Sequence, residues 1–227
     1  MKKIIAIVAL AAAAASSSYA QGLVLFANNN QAKISTNSVA GGAASGATSG
    51  TAGSFYYALF YSTGQTTVGG SAASFAGTNS TGTYAFNAAG WSNAGLLGTN
   101  GVTTGRFASS INVDAGNNST VTGLAQVANA QFVIIGWSAN IGNTLSALQS
   151  YLANPTVQGF FGESAVSGTI TTGNGSSQAT PGLMGNTGSP VIAAFTLGVV
   201  DGAVPEPGTM VLAGLGGLSL LAFRRKK

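Results

Sequence analysis

Asp114, Glu163, Asp201 and Glu206 are the only acidic side chains in this 227-residue chain. Two carboxyls held a few ångströms apart can hydrolyse a glycosidic bond, one donating a proton and the other acting as base or nucleophile. The donor needs a raised pKa, hence burial or a like-charged neighbour. Asp114, Glu163 and Asp201 are the three that could supply such a pair, but no catalytic motif flanks any of them. Turn capping or solvation is the favoured account of each. Asp114 with Asn117 and Asn118 also offers oxygen ligands of the kind calcium takes, though a good calcium site draws on more carboxylates. The chain has no histidine and no cysteine. That removes zinc sites built on those ligands, Cys nucleophiles, Ser-His-Asp triads and disulfides. The expectation is a non-enzymatic protein with no catalytic residue, no metal ligand and no cofactor.

A second chemistry lies in the aromatic residues. Trp91, Trp137, Tyr56, Tyr57 and Tyr61 are candidates for a platform on which sugar rings stack. Those within 55–61 and 132–137 sit in strongly apolar runs and read as core. Trp91 is set between Ala88-Ala89-Gly90 and Ser92-Asn93-Ala94-Gly95, which reads as loop and makes it the better candidate for exposure.

The formal charge of +4 conceals how it is distributed. Lys2, Lys3, Arg224, Arg225, Lys226 and Lys227 are six of the eight basic residues. Between positions 21 and 203 the charges are Lys33, Arg106, Asp114, Glu163 and Asp201 alone. Two cations far apart in sequence do not make a phosphate-tracking surface, so no nucleic-acid partner is expected.

The elements that must position these residues read as strands joined by Gly, Asn and Ser turns. Residues 22–27 form a first strand and 32–36 a second, with 39–53 a linker or long loop. In 54–62, Phe55, Tyr57, Leu59 and Tyr61 fall on one face and Tyr56, Ala58 and Phe60 on the other. Both faces are apolar, which predicts a central strand covered on both sides. Shorter strands are expected at 83–87, 102–108 and 111–114, and 121–128 with 130–139 as a sequential pair. Apolar residues at 145, 148, 151 and 152 predict a helix over 144–153, stopped by Pro155. Residues 159–170 read as a strand pair or a bent strand carrying Glu163, 171–190 as loop and 191–200 as a last strand. The sum is an all-β fold, an antiparallel β-sandwich or jelly-roll-like domain with one short helix, over 21–203.

The flanking segments carry a different kind of information. Lys2 and Lys3 precede 12 apolar residues, Ile4 to Ala15, and then Ser16 to Ala20. This is the order of a signal peptide, 1–20, with Ser18 and Ala20 as the small residues a signal peptidase requires and Gln21 as the mature N-terminus. At the other end, Val204-Pro205-Glu206-Pro207-Gly208-Thr209 leads into an uncharged run and then Arg224-Arg225-Lys226-Lys227. The run from 207 to 223, as a helix of about 1.5 Å per residue, nearly spans a bilayer. The basic residues anchor it on the cytoplasmic side of the inner membrane, with the body outside. Two prolines around Glu206 keep the segment extended and accessible.

This three-part tail, 204–227, resembles the PEP-CTERM protein-sorting domain of Gram-negative bacteria. The resemblance implies recognition by an exosortase, with Val204, Pro205, Glu206 and Pro207 as the residues read. It further implies delivery to the cell surface or into an exopolysaccharide matrix. The expected protein is therefore an exported, non-enzymatic surface or matrix protein, anchored as a precursor facing the periplasm. A carbohydrate-binding module with the same address is the alternative.

Overall fold

The computed structural model describes residues 21–39, 42–70, 75–76, 82–111, 113–114, 117–185 and 192–201. The expected signal peptide, sorting motif, membrane helix and basic end lie outside them, apart from Gln21. Among the described residues, no helix is long and apolar enough to cross a membrane.

The strands are β1 (Gln21–Val24), β2 (Ser35–Asn37), β3 (Ala44–Ala47), β4 (Phe55–Ser62), β5 (Phe75–Ala76), β6 (Ser92–Asn100), β7 (Phe107–Ser109), β8 (Ser119–Ala125), β9 (Asn129–Ser138), β10 (Gly159–Glu163), β11 (Ile170–Thr171) and β12 (Thr196–Val200). One helix, α1 (Leu145–Ala153), joins them. The main sheet runs β3-β2-β12-β10-β9-β4-β6-β7, with β5 and β11 attached to β10 and β9. A separate two-stranded sheet pairs β1 with β8. The all-β expectation with one short helix therefore holds. Pairing is antiparallel except between β12 and β2, which run parallel. Those two strands are some 160 positions apart, so no hairpin dictates their direction. The Asn37 side chain helps lock the junction by accepting the Val199 N–H at 2.8 Å.

Strand β4 sits at the centre, as its two apolar faces predict. It pairs with β9 along its whole length, from Phe55 opposite Ser138 to Ser62 opposite Gln131, and with β6 on its other side. Alternation then sorts the side chains. Tyr57, Leu59, Tyr61, Phe132 and Ile134 point into one apolar cluster, closed by Val24, Phe26, Val121 and Leu124 from the β1–β8 layer and its flanks. Ala58, Phe60, Val133, Ile135, Trp137 and Phe161 point into the other, closed by α1 and by Tyr84 and Ala85. Each of the largest buried side chains contributes roughly 1.5–3 kcal/mol of transfer free energy. The expected helix is present one residue shorter, because Thr144 serves as its N-cap and accepts the Ala147 N–H at 3.1 Å.

Several local expectations are corrected. Of 102–108, expected as a strand, only Phe107 and Ala108 lie in one, and 111–114 contributes an isolated bridge at Val113. Strands β8 and β9 are consecutive but do not pair with each other; β8 pairs with β1 and β9 with β4 and β10. Val127, at φ 54°, turns the chain between the two layers. Residues 85–87 form a turn instead of a strand: the Asn87 carboxamide accepts the Tyr84 N–H, and the Asn87 and Ala88 N–H groups return to the Tyr84 carbonyl. The stretch 39–53 contains β3. Ser92 to Gly95, read as loop around Trp91, begins a nine-residue strand that runs to Asn100. The 159–170 segment is the bent strand foreseen. It follows β9 throughout, and where the ladder breaks, the Ser164 and Ser167 hydroxyls accept the Ile134 and Phe132 N–H groups.

Candidate functional site

Glu163 ends β10 on the face occupied by α1 and Tyr84. Its side chain is 6 % exposed, and one carboxylate oxygen accepts the Ala85 N–H at 2.7 Å. Burial pushes the carboxyl from 4.5 up to about 7, a shift that the Ala85 hydrogen bond opposes. Burial, with the nearby Glu163 charge in second place, raises the Tyr84 phenol to about 12. The tuning is that of a proton donor, but a glycosidase needs a partner. Asp201 follows β12 at the far end of β10, where Gly159 lies opposite Val200. The five positions from 158 to 163 amount to roughly 16 Å at about 3.3 Å each, beyond the roughly 5–9.5 Å that either glycosidase geometry uses. Asp201 instead accepts a hydrogen bond from the Gln158 carboxamide at 2.9 Å.

Asp114 lies in the connection leading to β8, whose Val121 and Leu124 pack on the opposite face of the main sheet. Its carboxylate accepts the Asn118 N–H at 2.8 Å and the Asn118 carboxamide at 2.9 Å, while the Asn117 N–H returns to the Asp114 carbonyl. This is a closed Asx-type turn, with Asn117 at φ 60°. Among the described residues no group of three acidic side chains gathers for a metal. The three carboxylates are thus brought to three separate places, each with a hydrogen-bonding role of its own.

The aromatic platform separates as well. Tyr57 and Trp137 are fully buried and Tyr61 nearly so. Tyr57 stacks on Phe107 at 4.4 Å between ring centroids, and Trp137 donates its indole N–H to the Gly142 carbonyl. Tyr56 and Trp91 are half-buried, and Trp91 donates its indole N–H to the Thr67 carbonyl at 3.1 Å. Tyr56 lies opposite Thr99, and Trp91 immediately precedes Ser92, opposite Tyr61. They therefore stand at opposite ends of β4, some five positions or roughly 16 Å apart.

What the sequence reading missed is a groove at the β7 edge. Two clefts of about 380 and 440 Å³ meet there and share Arg106, Ala108 and Ser109. The first is completed by residues 25–29, Val113, Asn117 and Met184, the second by Ala52 and residues 99–103. Each is within the roughly 300–1,000 Å³ range of ligand pockets. Arg106 donates from Nε and Nη2 to the Asn28 carbonyl, both at 3.3 Å. Asn28 is buried and fixed by three hydrogen bonds: its Nδ2 donates to the Ala32 and Gly105 carbonyls, and its Oδ1 accepts the Phe107 N–H. Lys33 lies near the same turn, since a Cβ on Gly105 would fall 2.8 Å from the Lys33 Cβ, though it lines neither cleft. The two cations of the body, 73 positions apart, are neighbours in the fold. The signal available in the sequence was weak: Gly105 at φ 74°, directly before Arg106, marks the tight turn that presents it.

Residues 203–226 match the model of the PEP-CTERM protein-sorting motif. The match covers the segment in which Val204 to Pro207 and the basic residues were singled out. No curated protein and no solved structure matches the chain.

Proposed function

We propose that this protein is an exported, non-enzymatic component of the cell surface or extracellular matrix, delivered there by exosortase processing of its C-terminal tail. The single observation that carries the reading is the sorting-motif match over 203–226. The basic pair, apolar core and small residues of 1–20 agree with it as a signal peptide cleaved by signal peptidase after Ala20. The run 207–223 would hold the precursor in the inner membrane, with Arg224 to Lys227 in the cytoplasm and the body in the periplasm. In the body, the separate hydrogen-bonding roles of Asp114, Glu163 and Asp201 support a role without catalysis. Whole cells expressing Glu206→Ala, or a chain lacking 224–227, should accumulate full-length precursor in the membrane fraction. Normal release of both variants would sink the exosortase reading.

A second reading adds a ligand: the body is a carbohydrate-binding module in exopolysaccharide. The observation that favours it is the open groove at Arg106, in which Asn, Ser and Thr side chains stand among apolar residues beside a fixed cation.

A further inference from the structure

We propose that the groove at the β7 edge, with Arg106 at its centre and Lys33 near the same turn, binds a polysaccharide bearing carboxylates, a chain of uronic acid units. The proposal deepens the carbohydrate-binding reading and rests on it.

The first argument is the state of Arg106. A guanidinium has five N–H donors in a planar fork. The Nε and Nη2 edge is spent on the Asn28 carbonyl. This leaves three donors, including the pair across Nη1 and Nη2 that matches a carboxylate bidentately. Arg106 has no carboxylate partner among the described residues, and its anchor is itself held by a buried side chain. The cation is therefore positioned before any ligand arrives, which lowers the ordering cost of binding.

The second argument is electrostatic. Lys33 is exposed and lies near the same turn as Arg106, and neither is matched by an acid lining either cleft. The Glu163 carboxylate is held by the Ala85 N–H in the cluster on the other face of the sheet from Phe26 and Phe107, which line the clefts. Asp201 lies about seven positions beyond the level of Lys33 along the parallel β2–β12 ladder, more than about 20 Å off. Among the described residues Asp114 is the acid whose chain neighbours Val113 and Asn117 line the first cleft, and its carboxylate is engaged by Asn118.

The third argument selects the class of ligand. Thr99, Thr103 and Asn117 line the clefts, and their side chains form no hydrogen bond among the described residues. They supply the hydroxyl and amide groups that sugar hydroxyls pair with. A peptide could dock by adding a strand to a free sheet edge, or an acidic one on a cluster of arginines, and Arg106 is the one arginine between positions 21 and 203. The sheet edge is already taken: the Asn28 N–H donates to the Phe107 carbonyl and the Ser109 N–H to the Phe26 carbonyl. Two cations are too few to track a nucleic acid. Two clefts opening on either side of Arg106 suit a polymer that passes over it better than a single small anion.

The test is calorimetric titration of the full chain in mild detergent with three oligomers of about eight units: oligogalacturonate, a neutral oligogalactoside and oligoglutamate. Oligogalacturonate should bind, weaken as salt rises, and lose about tenfold or more in affinity with Arg106→Gln, as expected when a charge-assisted pair is removed. Ala108→Trp, which fills the shared part of both clefts without touching Arg106, should cost a similar factor; it decides the matter if Arg106→Gln fails to fold. The neutral oligomer and oligoglutamate should each bind at least about tenfold more weakly. Equal binding of oligoglutamate would overturn the assignment to a sugar. Equal binding of the neutral oligomer, unaffected by either variant, would overturn this groove and leave the broader carbohydrate reading standing. No binding of either oligosaccharide would overturn both.

Discussion

Glu163 and Arg106 place charge in opposite ways within one sheet. Glu163 is enclosed by an apolar layer, has one hydrogen bond from a backbone N–H and carries a raised pKa. Arg106 stands half-buried in an open groove beside β7, tied to a carbonyl by two donors, with a second cation near the same turn. A carboxyl can enter an apolar layer because it has a neutral form to retreat to. A guanidinium has none at accessible pH, so it must keep water, a partner or both. The contrast teaches where to look for a ligand in a nearly uncharged protein. The buried acid tunes stability, and the half-buried cation is the group still able to take a partner.

The largest expected effect tests how the open side is held. Asn28→Ala leaves the Ala32 carbonyl and the Phe107 N–H without that partner, each costing about 1–3 kcal/mol when buried, and takes one of two donors from the Gly105 carbonyl, which keeps the Ile34 N–H. The losses share one site and will not add fully, so about 3–5 kcal/mol is expected in urea unfolding. A cost below about 1 kcal/mol would mean that packing holds the groove, and the contrast with the Glu163 layer would collapse.

Glu163 should give the next largest effect, with a definite sign. Its folded pKa of about 7 lies above the ordinary 4.5. Between those values the native state binds more protons than the unfolded chain, so stability falls as pH rises through the window. At 1.36 kcal/mol per unit, the fall amounts to about 3 kcal/mol, complete by about pH 8. Glu163→Gln keeps an oxygen for the Ala85 N–H and removes the ionisation. Above pH 7 the variant should be more stable than the parent by about 2–3 kcal/mol, converging with it near pH 4. Parallel stability profiles from pH 4 to 8 would show that Glu163 is solvated and that the two regions do not differ as described.

The reach of the sequence can be judged from the same residues. Phe55 to Ser62 and Phe132 to Trp137 announced their strands because alternation and β-branched or aromatic side chains agree there. Leu145 to Leu152 announced its helix by spacing. Ser92 to Asn100 announced nothing: Ser, Asn, Ala and Gly make up most of it, and it is a strand because β4 and β7 flank it. Position 163 was visible as an acid, but its burial depends on the 82–91 segment folding over it. The groove was hidden for a plainer reason. Lys33 and Arg106 are far apart in sequence, and their proximity follows from Asn28 bridging Ala32, Gly105 and Phe107. The tail was legible because it is read as an extended local motif and needs no fold to be recognised.

The smallest expected effect sharpens the contrast most finely. Asp114→Asn preserves an acceptor for the Asn118 N–H, so the turn should persist and stability should change by no more than about 0.5 kcal/mol. Its charge, however, lies on the connection whose Val113 and Asn117 line the first cleft. Removing that charge should tighten oligogalacturonate binding by roughly twofold at low salt, and by nothing near 1 M salt, where the Debye length is about 3 Å. Glu163→Gln should leave the same titration unchanged, since its carboxylate is buried on the other face of the sheet from the clefts. If both substitutions shift the affinity alike, the groove senses only net charge. If Asp114→Asn acts alone, the binding field is local to the β7 edge, and the buried acid and the groove's cation work as independent parts of one sheet.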